Sequence, residues 1–217
     1  VERDRSSAGY KIALILAMVV AIAAANGSAE TKPAATNTPS PDASSERVRR
    51  FLEDRVHGDP DDIIAQNRLA DIYLRRLRET GDIAWLGRAG EAAHRSLASV
   101  PAEQNATGLF MQGRVEYESH HFAAARDLAS ALTKIEPGKS RGFALLGDAL
   151  LEFGELEQAA AAYGEMQKRK GDPIEAETRL ARLDLVRGAS DSAQKHFEKA
   201  IDAARQLSEP SPEIVAW

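Results

Sequence analysis

The sequence predicts an all-α chain built from stacked antiparallel helix pairs. Three observations carry this. Small residues recur every 34 positions: Gly113, Gly147 and Ala181 form one series, and Ala125, Ala159 and Ala193 a second. Alanine is abundant while aromatics make up only 6% of the 217 residues, a composition that favours helices with close backbones, because alanine loses no side-chain entropy in a helix. From Glu46 to about Leu207, helical patterns are broken only by short punctuation.

The N-terminus reads as a targeting segment. Arg3, Arg5 and Lys11 precede an unbroken apolar run from Ile12 to Ala25. The run suits the apolar core of a signal peptide, roughly 7–15 residues, and is shorter than the ~20 residues a membrane-spanning helix needs. Small residues end it, at Ala23-Ala24-Ala25, and follow it, at Gly27-Ser28-Ala29, as a signal peptidase requires. Glu2 and Asp4 weaken the basic flank, so an uncleaved anchor is the alternative reading of residues 1–29. Either way the remainder is expected to be exported, to the periplasm or the extracellular space, with inner-membrane anchoring as the alternative. The only membrane contact expected is through that anchor.

Residues 30–46 are rich in Pro, Ser and Thr and lack apolar periodicity. Such a stretch buries too little surface to offset its ordering entropy, which predicts a disordered spacer. The helical domain is expected over 47–208. Within it, two helices of about a dozen residues and a tight turn fill one 34-residue unit. A small residue on each helix lets the pair approach, and Leu146, Leu150, Tyr163, Leu180, Leu183 and Phe197 fill the space between. Turns are signalled at His120-His121, Gly154-Glu155 and Arg187-Gly188, and the units close at Pro137 and Gly171-Asp172-Pro173.

The run Phe143 to Leu150 with Leu146-Gly147, followed by Phe153-Gly154, Ala159 and Tyr163, resembles the tetratricopeptide repeat. The next unit matches through Leu180, Ala181, Gly188, Ala193, Phe197 and Ala200; the preceding one matches through Gly113, Phe122, Ala125 and Pro137. A divergent unit lies upstream at Leu69-Ala70, Tyr73, Ala89 and Pro101, with a step of 43 residues from Ala70 to Gly113. Its surplus is expected around Arg76 to Trp85. The resemblance covers roughly residues 60–207 and implies a right-handed α-solenoid of about four repeats. After Pro212, residues 213–217 resemble the opening of another first helix, so 209–217 is expected to begin a further, truncated repeat.

Chemistry is sparse in this sequence. The chain has no cysteine, which excludes disulfides and thiolate metal sites. Its net charge of −5, with both signs interspersed, gives none of the basic stripe that nucleic acid requires. His120 and His121 with Glu116 read as a polar turn rather than a metal site. Asp148, Glu152, Glu155 and Glu157 read as a solvated face rather than paired catalytic carboxylates. There is no phosphate loop, nucleophile elbow or zinc motif. No catalytic residue, metal site or cofactor is assigned, and the chain is not read as an enzyme.

What the resemblance implies instead is a binding groove lined by the first helix of each pair. The second, fifth, ninth, twelfth and thirteenth residues of each unit tend to face it. Among these are Asn67 and Asp71; Phe110, Arg114 and Tyr117; Arg141, Asp148 and Glu152; and Thr178 and Arg182. Positions five and nine read Phe110/Arg114, Ala144/Asp148 and Thr178/Arg182, a departure from the lysine/asparagine clamp with which some members of that family hold a C-terminal carboxylate. Two readings of Arg114, Arg141 and Arg182 stay open: a grip on an acidic segment, or pairing with Asp148, Glu152 and their neighbours. The expected function is an exported scaffold or adaptor that binds a protein or peptide partner. Two others stand beside it: the N-terminal repeat region of a larger envelope enzyme, such as a glycosyltransferase or protease, and a membrane-tethered assembly factor.

Overall fold

Short polar caps and left-handed turn residues divide the chain into helices. The computed structural model describes residues 41–208. The expected leader or anchor at 1–29, most of the spacer and the segment 209–217 lie outside the described residues. Among those described there are nine α-helices, one 3-10 turn and no strand.

Helix α1 (Pro41–Gly58) takes in the last residues of the stretch read as a spacer. Proline is tolerated in a first helical turn, where its missing N–H has no intrahelical partner. Arg49 then ties the next turns together, reaching Glu46 at 2.7 Å and Glu53 at 2.6 Å.

Four hairpins follow. The first is α2 (Ile63–Thr80) with α3 (Ala84–Ser99), and the second α4 (Ala106–Glu118) with α5 (Phe122–Ile135). The third is α6 (Ser140–Glu152) with α7 (Leu156–Gln167), and the fourth α8 (Pro173–Val186) with α9 (Ser190–Ser208). Side-chain caps start three of the first helices. Asp62 accepts from Ala65 N at 2.9 Å, Asn105 from Gly108 N at 2.9 Å, and Asp172 from Ile174 N at 2.8 Å with Pro173 beside it.

The hairpin turns keep the 34-residue step. His120, Gly154 and Gly188 have φ of 60°, 73° and 76°, and Gly81 closes α2 at 69°. A left-handed residue at this place lets the chain reverse while satisfying the last carbonyls of the helix. His120 is the non-glycine member of the set.

Both small-residue series lie at helix contacts. Ala125, Ala159 and Ala181 are fully buried and Ala193 nearly so. A Cβ on Gly113 would meet Leu145 Cδ2 at 2.7 Å, and one on Gly147 would meet the Tyr163 ring at 2.4 Å. In the divergent unit Ala70, Ala89 and Ala93 are equally buried. Its 43-residue step has three sources, one being that α3 has 16 residues where α5 has 14. Helix α2 has 18 residues where α4 and α6 have 13, and the 3-10 turn Ala102–Gln104 lengthens the passage to the next unit.

Each helix packs on its sequence neighbour. The first helices also touch one another in series, α2 on α4, α4 on α6 and α6 on α8. They therefore form one wall, which places their polar residues in a common groove.

Candidate functional site

The groove along this wall has a volume of about 720 Å³ and is lined from α2, α4, α6 and α8. Six arginines and four carboxylates line it, and two further carboxylates, Glu136 and Glu152, pair with arginines of the lining.

Two guanidinium groups of the lining lie over the Phe110 ring, Arg141 at 5.1 Å and Arg114 at 5.7 Å from its centroid. Such stacking holds the arginines while leaving N–H donors unused. Arg114 Nη1 donates to Asp71 Oδ1 at 2.8 Å, which joins α4 to α2. Arg141 donates through Nε to Glu136 at 2.7 Å and reaches Thr107 Oγ1 at 3.3 Å. Burial works to raise the Asp71 carboxyl, but the bonds and charges of Arg114 and then Arg75 outweigh it and hold it below its ordinary value.

Further along, the Tyr117 hydroxyl donates to Glu152 Oε1 at 2.9 Å and accepts from Arg182 Nη1 at 3.0 Å, while Arg182 also pairs with Glu152. This cluster links α4, α6 and α8. Burial first, and then Glu152, push the Tyr117 phenol up against the pull of Arg182, so it remains a donor. On the inner side, Asp148 accepts from the Tyr163 hydroxyl at 2.8 Å and from Arg179 Nε at 3.0 Å. Thr178 is exposed on α8, and its hydroxyl donates back to Ile174 O at 2.8 Å.

The structure thus brings Asp71, Phe110, Arg114, Tyr117, Arg141, Asp148, Thr178 and Arg182 to one groove, with Glu152 joined to it through Tyr117 and Arg182. Asn67 is the exception. It is 8% exposed and donates to Asn105 Oδ1 at 2.9 Å, while its own Oδ1 accepts from Ser96 at 2.7 Å. The 3-10 turn before α4 puts Asn105 opposite Asn67, so a side chain expected to face the groove closes a buried polar network instead. Arg114, Arg141 and Arg182 each hold a carboxylate of the chain itself.

The acidic residues read as a solvated face are split among separate partners. Asp148 and Glu152 are tied down between helices, and Glu157 stands 3.7 Å from Arg187. His121 Nδ1 lies 2.8 Å from Glu116 Oε2. Among the described residues no group of three or more His, Asp or Glu side chains is placed to hold a metal ion, and no helix is long and apolar enough to cross a membrane.

Sequence reasoning missed Arg78 and Arg179. Arg78 sits in the turn by which α2 exceeds the repeat, outside any repeat position. Arg179 adjoins Thr178 and pairs with a residue one unit upstream, a partnership visible only when consecutive units are laid side by side.

No protein-family model matches the chain, and no curated protein matches it. Solved structures do. TTC0263, a thermophilic TPR protein in Thermus thermophilus, superposes with a TM-score of 0.62 at 19% identity, over 74% of this chain and 84% of that one. MamA residues 41–end from Desulfovibrio magneticus RS-1 superposes with a TM-score of 0.56 at 19% identity, over 77% and 90%. A further MamA crystal structure gives 0.55 at 18%, over 77% and 92%. The chain has the tetratricopeptide fold.

Proposed function

We propose that this protein is an exported binding scaffold, a right-handed solenoid whose concave wall holds an extended segment of a partner protein. The observation that carries the proposal is the groove itself: four consecutive first helices present one continuous, arginine-rich surface that includes Phe110. The segment it fits is acidic and carries an apolar or aromatic side chain for the Phe110 region. Arg114, Arg141 and Arg182 keep their internal carboxylates and use their remaining N–H donors on the partner. Arg75 and Arg78, exposed at the α2 end, supply the more accessible charge. The role is binding, and export is assigned on the charged, apolar and small-residue pattern of residues 1–29.

Site-specific photo-crosslinking tests this. A benzophenone amino acid is placed in the groove at Phe110 or Thr178, or on the outer helices at Asp127 or Lys195. Crosslinks to one partner from the groove positions alone are expected. Equal capture from the outer positions would move binding off the groove. Fractionation with N-terminal sequencing of the mature protein tests export separately.

A further inference from the structure

A second groove, of about 680 Å³, lies between α1 and α2, away from the centre of the concave wall. Its walls expose unusually large apolar side chains for this chain: Phe51 is 60% exposed, Val48 52% and Ile64 66%. A soluble surface tolerates single apolar residues, but a cluster at one cleft marks a contact site.

The repeat itself indicates what belongs there. With Ala70, Gly113, Gly147 and Ala181 taken as equivalent, the residue two places earlier in each first helix faces the preceding unit. Met111 and its neighbour Val115 belong to the apolar cluster built by α2 and α3. Leu145 covers Gly113 of α4. Arg179, at the same place in α8, reaches back to Asp148 of α6 with Nε 3.0 Å from both carboxylate oxygens. In α2 these places fall to Arg68 and Ile72, and both line the second groove. Arg68 is exposed and has no ion pair among the described residues. By contrast, Arg55 and Arg75 are paired, with Asp62 and Asp71.

We propose that the α1/α2 groove is a docking site for an amphipathic helix of a partner protein, which takes the place of a preceding first helix, so that α2 stacks on it as each later first helix stacks on the one before it. Its apolar stripe covers Val48, Phe51, Ile64 and Ile72. One carboxylate on it receives Arg68, as Asp148 receives Arg179. The site adjoins the α2 end of the concave groove, with which it shares Asp71 and Arg75, and takes a folded helix rather than an extended segment.

The test uses the full chain and a hydrocarbon-stapled peptide with the sequence of residues 140–152, the first helix that already satisfies an arginine at this place; stapling offsets the weak helicity of so short a peptide. Fluorescence anisotropy is expected to show saturable binding. The affinity should fall at least about tenfold in Arg68→Glu and in Phe51→Asp, and similarly when the peptide's aspartate is replaced by asparagine. Both altered side chains are on the surface, and circular dichroism checks that the variants fold. No binding up to about 1 mM would overturn the proposal. So would binding that both variants leave unchanged, since the peptide would then be exchanging with α6 in its own place. Loss in Phe51→Asp alone would overturn the carboxylate assignment. Concentration-dependent self-association abolished by Phe51→Asp would make the occupant a second copy of this chain and overturn the partner-helix assignment.

Discussion

Gly147 and Tyr163 meet so closely that a Cβ on the glycine would fall 2.4 Å from ring carbon Cε1. Tyr163 is fully buried, and its hydroxyl holds Asp148 on the groove side. One contact therefore sets both the separation of α6 and α7 and the position of a groove residue. Gly147→Leu is expected to destabilise the protein by roughly 1–3 kcal/mol or more through overpacking. Gly164, in α7, has open space where a Cβ would stand, so Gly164→Ala should stabilise by about 0.5–1 kcal/mol through helix propensity. Thermal or urea unfolding reads both; a midpoint unmoved by Gly147→Leu contradicts the packing described.

His120 occupies the left-handed conformation that glycine holds in the next two hairpins. A side chain there costs about 1 kcal/mol, part of which its edge contact with Phe122 at 5.4 Å returns. His120→Gly should therefore raise stability by a few tenths to about 1 kcal/mol, and Gly154→Ala should lower it by about 1 kcal/mol. Urea midpoints with unchanged m-values check the pair.

The buried network of Asn67, Ser96 and Asn105 makes a different demand. Removing one member strands the others without water. Asn67→Ala is expected to cost about 1–3 kcal/mol, and the Asn67→Ala/Asn105→Ala double variant should lose less than the sum of the single losses. A double-mutant cycle measures this coupling, and strict additivity contradicts the network.

Asp71 gives the groove a pH dependence. Its folded carboxyl lies below the ordinary 3.8, so the unfolded chain takes up its proton first as the pH falls. The stability from its arginine pairs is full above that value and is lost as the pH drops through the folded one. The gap in stability between the wild type and Asp71→Asn should thus narrow on acidification below about pH 4. Urea titrations at stepped pH follow the gap.

The fold was legible because packing imposes a fixed period. Close helix contacts need small residues, and Gly113, Gly147 and Ala181 display that need at one spacing. The groove was legible for the same reason, since helical geometry sends the ninth position of each unit, Arg114, Asp148 and Arg182, to one side. What the sequence hid were partnerships between units. Asn67 pairs with Asn105 across a connector whose 3-10 turn has no repeat signature, and Arg179 finds Asp148 only once α8 stacks on α6. The helical start at Pro41 was masked by its Pro/Ser context, although Glu46, Arg49 and Glu53 already held the spacing of a helical ion-pair ladder.

The most direct measurement is calorimetric titration of the partner segment captured by groove crosslinking, made as a synthetic peptide, into wild-type protein, Phe110→Ala and Arg78→Glu at low and high salt. Groove binding predicts that each variant weakens affinity at least about tenfold and that salt weakens the wild-type complex, because exposed charges are screened. Unchanged affinity in both variants would contradict it.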